Sequence, residues 1–170
     1  MLWHCAYVGL GSNLDAPAEQ VRRALRALPD IERTRLIARS SLYGSRAWGL
    51  TDQPDFVNAA AGLLTRLSLD EFFQALRQLE RQLGRKPPTV RWGPRRIDLD
   101  LLLFDQERRD TPELKLPHPG VVSRNFVLYP LHEFAPDLPI PGSGRVSELL
   151  GQVDRSGLWR LDEPADQHGL

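Results

Sequence analysis

Residues 97–104, Ile-Asp-Leu-Asp-Leu-Leu-Leu-Phe, are an apolar run broken only by Asp98 and Asp100. Side chains alternate between the two faces of a strand. A strand here sends both acids to one side, roughly 6 to 7 Å apart along it, and sends Ile97, Leu99, Leu101 and Leu103 to the other. Such a strand needs a sheet with one covered face, and it holds two carboxylates rigidly on the opposite face. Their repulsion calls for a cation.

The rest of the chain supplies partners for this strand. Residues 3–10 alternate, with Ala6, Val8 and Leu10 on one face, and run into a Gly9-Leu10-Gly11-Ser12-Asn13 turn. Asp15 and Pro17 mark a helix start, Val21, Leu25 and Leu28 share a face, and Pro29 ends the run. Residues 34–43 and 56–65 read as strands, separated by a turn-rich stretch at 44–54. Ser68 with Glu71 forms a capping-box pattern, and Leu69, Phe72, Phe73, Leu76, Leu79 and Leu83 recur at helical spacing until Gly84. A basic, proline-broken segment at 85–95 follows. The order βαββαβ predicts an α+β fold, a ferredoxin-like sandwich of four antiparallel strands with two helices on one face. Beyond it, Pro117-His118-Pro119 opens a loop, Ser123 is placed to cap a helix through Glu133, and residues 146–153 predict another short helix. The carboxy-terminal third is expected to be a helical appendage. Residues 1–160 read as a single domain, with a frayed tail after Trp159 and a flexible one over 161–170.

Composition narrows the partners. With 22 basic and 22 acidic residues among 170, no overall field favours nucleic acid or an anionic membrane surface. The positive charge is almost all arginine, Lys86 and Lys115 being the only lysines. Cys5 is the sole cysteine, so a disulfide framework within the chain is excluded. No stretch of about 18 consecutive apolar residues suggests a membrane span. The expectation is a soluble, cytoplasmic monomer.

Carboxylate oxygens are hard ligands suited to magnesium, which completes its shell with water and substrate phosphates. Two such acids can hold two ions around a polyphosphate. The competing reading is a solvated sheet face whose acids pair with arginines. Arg91, Arg95 and Arg96 lie within a few residues of the acids, and Arg85 and Lys86 close the long helix. Cations beside metal-ligating acids suit a triphosphate, because phosphoryl transfer is accelerated mainly by positioning and charge neutralisation. The glycine turn after the first strand lacks the spacing and the lysine of a Walker loop and reads as structural.

The segment Arg91-Trp92-Gly93-Pro94-Arg95-Arg96-Ile97-Asp98-Leu99-Asp100-Leu101-Leu102 resembles the signature of the 6-hydroxymethyl-7,8-dihydropterin pyrophosphokinases. The resemblance extends to Gly11-Ser12-Asn13-Leu14, to Asp52-Gln53-Pro54-Asp55-Phe56-Val57-Asn58-Ala59, and to Pro117-His118 followed by Arg124 and Phe126. It covers residues 5–150 and implies the same ferredoxin-like fold. It also implies that Asp98 and Asp100 ligate two Mg2+ ions bridging ATP and the pterin hydroxyl. By the same resemblance Arg85 and Arg95 engage the phosphates, with Arg91, His118 and Arg124 around them. Phe56 and Phe126 would sandwich the pterin, Asn58 would read its edge, and Ser45, Trp48 and Trp92 would line its pocket. Glu80, Leu101 and Lys115 fall on the adenine side. Two departures stand out: Arg77 occupies a position that is uncharged in some relatives, and Pro87 and Pro88 replace a more flexible basic segment.

The implied reaction is attack of the pterin hydroxymethyl oxygen on the β-phosphorus of ATP, giving AMP and the pterin pyrophosphate. The residues alone do not single out a general base. Nucleotidyl transfer by the same two-metal logic is the competing enzyme, and a nucleotide-sensing module is the competing non-enzyme.

Overall fold

A computed structural model describes residues 2–46, 53–84 and 96–161. Strand β1 (His4–Ser12) leads to helix α1 (Pro17–Ala27), a short 3-10 turn (Leu28–Asp30), and strands β2 (Thr34–Arg39), β3 (Tyr43–Ser45) and β4 (Phe56–Thr65). Helix α2 (Leu69–Gln82) and strand β5 (Asp98–Phe104) follow, then a small hairpin of β6 (Arg109–Asp110) and β7 (Lys115–Leu116). Helix α3 (Asn125–Phe134), a second hairpin of β8 (Pro139–Ile140) and β9 (Gly144–Arg145), helix α4 (Val146–Leu150) and strand β10 (Leu158–Arg160) complete the order.

The main sheet is antiparallel and runs β10-β3-β4-β1-β5, with β2 also on β4. β2 and β3 share one edge of β4, interrupted at Ser40. There Ser40 spends both backbone and side chain on Ala60: its N–H donates to Ala60 O (2.9 Å) and its Oγ accepts from Ala60 N–H (2.9 Å). The single strand read from residues 34–43 is therefore two, because the Ser-Ser pair bonds the neighbouring backbone through a hydroxyl.

Alternation assigns the two faces. Val8, Leu10, Val57, Ala59, Leu63, Leu99 and Leu101 point into one core with Val21 and Leu25 of α1 and Phe72, Leu76 and Leu79 of α2. Ala60, Leu102 and Leu103 point the other way, into a second core with Val127, Leu128 and Leu131 of α3 and Val146 and Leu149 of α4. Leu102 and Leu103 share this core because the pairing of β1 with β5 slips between Tyr7 and Val8. The carboxy-terminal helices thus form a second layer on part of the sheet. Phe134 stacks on Tyr7 with ring centroids 6.4 Å apart and packs over the bare backbone of Gly62.

Local signals place the helix ends with some exchanges of role. Ser68 and Glu71 form the expected reciprocal box at the start of α2, and Gly84 (φ 97°) takes the left-handed turn beyond its end. Pro17 opens α1, but Asp15 does not cap it; its carboxylate pairs with Arg96 at 2.7 Å instead. α3 begins at Asn125 with Arg124 at the cap position and no side-chain cap, so Ser123 does not fill that role. Beyond Trp159, Arg160 and Leu161 stay tied to the sheet, and the rest of the tail expected to be flexible, 162–170, lies outside the described residues. β10 pairs with β3, and Leu161 N–H donates to Leu42 O at 3.0 Å. Gly44 makes this closure possible, since a Cβ there would lie 2.3 Å from the Trp159 ring. Three residues are too few to display a strand period, which is why β10 escapes a reading by pattern.

Removing the hydroxyl in Ser68→Ala leaves the Glu71 N–H without its cap acceptor. Urea unfolding should show a loss of about 1 kcal/mol with an unchanged m-value.

Candidate active site

The site is built on the face of the sheet opposite α1 and α2, toward the end of the strands not covered by α3. Cα pairing sets Asn58 beside Gly11 and Gly11 beside Asp98; one step along, Ala60 faces Gly9 and Gly9 faces Asp100. All six residues lie on the same face of the sheet. The middle strand contributes only glycines there; Leu102 packs over Gly9, within 3.4 Å of where a Cβ would sit, so a lane of bare backbone remains at Gly11, between Asn58 with Phe56 on one side and Asp98 on the other. Two strand spacings separate β4 from β5, roughly 9 to 10 Å. A Cβ at Gly11 would sit 3.4 Å from Asn58 Oδ1 and 3.8 Å from Phe56 Cδ1, which would narrow the lane. Sequence reasoning treats these glycines as turn residues. The signal it passes over is their period-two spacing within an otherwise apolar strand.

On the β4 side the polar groups are pre-set. Asn58 is buried, and its Nδ2 donates to Ser45 Oγ at 2.7 Å, which leaves Oδ1 toward the lane. Ser45 pairs with Phe56 across β3 and β4, bringing three of the predicted pterin residues together. Phe126 is near the start of α3, half-buried against the second core, with the Arg124 guanidinium 5.7 Å from its ring centroid. α3 is tied to β3 by Glu133, whose carboxylate accepts from Ser41 N–H at 2.9 Å and from the Tyr43 hydroxyl. Burial first, and that hydrogen bond second, push the Tyr43 phenol well above its ordinary range.

On the β5 side, Asp98 and Asp100 are half-buried while Leu99 between them is fully buried. His118 enters from the loop before α3, with its N–H donating to Leu102 O at 2.9 Å. Its Nδ1 accepts from Gly120 N–H at 3.0 Å, so the neutral ring carries its proton on Nε2, which lies 3.9 Å from Asp100 Oδ2. Burial lowers the His118 pKa; Asp100 opposes the shift, and Arg124 and Arg77 reinforce it. His118 thus approaches Asp100 from the α3 side, and the Arg124 guanidinium lies over Phe126 on that same side.

The residues expected on the adenine side are placed differently from one another. Leu101 is buried in the first core, so only its backbone can meet a ligand. Lys115 is exposed on the β6–β7 hairpin and pairs with Asp110 at 2.8 Å, which holds the Asp110 carboxyl below its usual range. Glu80 is buried beneath β5, where its Oε2 accepts from Leu99 N–H at 2.6 Å and its Oε1 is 3.1 Å from Arg77 Nη1. Trp48, Arg85, Arg91, Trp92 and Arg95, with Pro87 and Pro88, lie outside the described residues.

Because the folded His118 pKa is depressed, its contribution to stability is present above about pH 6.5 and declines as the unfolded chain takes up a proton below that pH. With a chelator present, unfolding free energy should therefore fall less between pH 7 and pH 5.5 in His118→Gln than in the parent. Denaturation curves should show a slope difference below about 1.4 kcal/mol per pH unit, the limit for one proton.

The chain is similar to known proteins in sequence and in fold. The family model described as 7,8-dihydro-6-hydroxymethylpterin-pyrophosphokinase (HPPK) matches residues 7–136. A 2-amino-4-hydroxy-6-hydroxymethyldihydropteridine pyrophosphokinase of Pseudomonas aeruginosa is 46% identical over 155 residues, 91% of this chain and 95% of its own length. The protein of that name from Haemophilus influenzae is 42% identical over 157 residues, 92% of this chain and 98% of its own. Among solved structures, a Plasmodium falciparum HPPK-DHPS with pterin and p-hydroxybenzoate superposes with a TM-score of 0.67 at 12% identity, over 94% of this chain. The chain spans about half (47%) of that longer protein, so this likeness bears on the fold alone. Given the extent of the family match and the identity to full-length relatives, the chain belongs to the 7,8-dihydro-6-hydroxymethylpterin-pyrophosphokinase family.

Proposed function

We infer that this protein transfers the pyrophosphoryl group of ATP to 6-hydroxymethyl-7,8-dihydropterin, releasing AMP, in folate biosynthesis. Family membership supports the reaction, and one observation of the fold carries its assignment to this site. Two carboxylates and a buried amide face each other across a stretch of β1 whose only residues on that face are Gly9 and Gly11. The amide side suits a flat heterocycle with donors and acceptors along one edge. Asn58 Oδ1 offers an acceptor, and Phe56 with Phe126 supplies aromatic faces for offset stacking. Ser45 fixes the Asn58 amide, so its orientation is established before the substrate arrives. Trp48 and Trp92 are assigned to the same pocket by sequence match.

The carboxylate side suits a metal-bound polyphosphate. Asp98 and Asp100 are hard oxygen donors, which fits Mg2+ that retains water and phosphate ligands. When bound, two Mg2+ ions would polarise the phosphate oxygens and neutralise their charge. Arg124 and His118, with Arg85, Arg91 and Arg95, are assigned to the phosphates. The backbone of Leu101, with Lys115, is assigned to the adenine by sequence match. The hydroxymethyl oxygen then forms a bond to the β-phosphorus while the bond from that phosphorus to the α,β-bridging oxygen breaks. The hydroxyl proton is lost to solvent, and AMP leaves with the bridging oxygen. What the chain supplies is alignment and charge stabilisation.

The strand order β2-β4-β1-β5, with α1 and α2 against one face, supports the ferredoxin-like reading, with α3 and α4 as the added helical portion. We assign residues 1–160 to one catalytic domain acting as a monomer in the cytoplasm. No helix among the described residues is long and apolar enough to cross a membrane.

Chromatography of the protein incubated with ATP, Mg2+ and 6-hydroxymethyl-7,8-dihydropterin should show AMP and the pterin pyrophosphate rising together. Asp100→Ala should reduce the rate about a hundredfold or more while the protein stays folded. Free pyrophosphate as the product would indicate nucleotidyl transfer, and ATP binding without AMP would indicate a sensor.

A further inference from the structure

β5 is the edge of the main sheet as described: one side pairs with β1, and no strand among the described residues covers the other. Edge-strand backbone groups need partners from elsewhere. At Leu99, between the two aspartates, both come from α2. Leu99 N–H donates to Glu80 Oε2 at 2.6 Å, and Leu99 O accepts from Arg77 Nη2. Arg77 and Glu80 are three residues apart on one helix face and bind each other through Nη1 and Oε1 at 3.1 Å. Together they grip Leu99 as a neighbouring strand would, but with charged groups, whose hydrogen bonds are shorter and stronger.

Covering an edge would need no ion pair, and this one is costly to place. The Glu80 side chain is 4% exposed and that of Arg77 28%. Arg77 Nε is buried with no hydrogen-bond partner among the described residues, and its guanidinium lies 5.0 Å from the Phe73 ring centroid. A displacement of Leu99 along or across the strand would move both adjacent carboxylates together.

We propose that Arg77, acting with Glu80, is a positioning residue that holds the Leu99 backbone and thereby fixes the separation and aim of Asp98 and Asp100 for metal binding. This rests on the assignment of those two aspartates as metal ligands. It gives Arg77, a position uncharged in some relatives, a role that touches neither substrate.

The test follows metal binding directly. Mn2+ is titrated by electron paramagnetic resonance into the protein with α,β-methylene-ATP, a nucleotide that cannot undergo the transfer. Steady-state constants for ATP, pterin and Mg2+ are measured alongside. Arg77→Met should raise the Mn2+ dissociation constant and the Mg2+ concentration for half-maximal rate about tenfold or more, as expected for loss of a group that orients metal ligands. The pterin KM should stay within about twofold. Arg77→Met leaves Glu80 buried without its cation and can fail to fold. Arg77→Gln is shorter, loses the charge and keeps one amide nitrogen where Arg77 uses two, so it should show the same shift at smaller size.

Parental metal affinity in folded Arg77→Gln and Arg77→Met, even with a lowered melting temperature, would overturn the proposal. A raised KM for ATP at saturating metal with no change in metal affinity would also overturn it, and would place Arg77 on the nucleotide. Failure of the underlying reading would show elsewhere, as a parent protein that forms no AMP or an Asp100→Ala protein with parental Mn2+ affinity.

Discussion

The antiparallel pairing of β1 with both β4 and β5 is the constraint on which the rest of the structure depends. β1 alternates strictly, with Val8 and Leu10 in the core beneath α1 and α2, and Gly9 and Gly11 on the other face. A one-residue slip of either neighbour would turn its apolar set outward and its polar set into the core. The register that buries Leu99 and Leu101 is therefore the one that presents Asp98 and Asp100, and the register that buries Val57 and Ala59 is the one that presents Phe56 and Asn58. Hydrophobic burial sets the geometry of the polar face, and no separate interaction is needed to choose which residues meet there.

The two faces of this sheet are closed in different ways. Under α1 and α2 the cover is continuous. Over the opposite face α3 and α4 cover only part of the strands, and they are fastened by polar contacts as well as packing: Glu133 to Ser41 and Tyr43, and Asn125 Nδ2 to the carbonyls of Asp154 (2.9 Å) and Ser156 (3.0 Å). Partial cover leaves room for ligands, and directional bonds fix how far α3, with Phe126 and Arg124, stands from β4.

Much of this can be read from the order of residues, because the informative features are periodic and local. Alternation in residues 97–104 predicts the strand and the shared face of its acids. The Ser68 and Glu71 spacing predicts how α2 begins. What escapes depends on contacts distant in sequence or too short to show a period. β10 has three residues. The break between β2 and β3 turns on one hydroxyl bonding Ala60 across the sheet. Asp15 looks like a cap until Arg96, far along the chain, claims it. The family resemblance puts Glu80 on the adenine side and marks Arg77 only as a departure, and only the fold shows that they meet the backbone of Leu99. Among site residues, Asp98 and Asp100 follow from spacing, whereas Ser45, Asn58 and Phe126 acquire meaning only beside one another or beside a family resemblance.

The packing of Trp159 on Gly44 bears on the order in which the molecule can assemble. β1 to β5 and their two helices can bury most of the first core through contacts that need no residue beyond Phe104. The pairing of Leu158–Arg160 with Tyr43–Ser45 joins segments widely separated in sequence, and ordering the intervening chain carries a closure entropy that only a largely formed sheet can offset. β3, which carries Ser45, thus has an open outer edge until the last strand arrives. The Asn58 side of the site is finished after the two aspartates opposite it are already in place, so a partly folded molecule would hold its acidic half before its amide half.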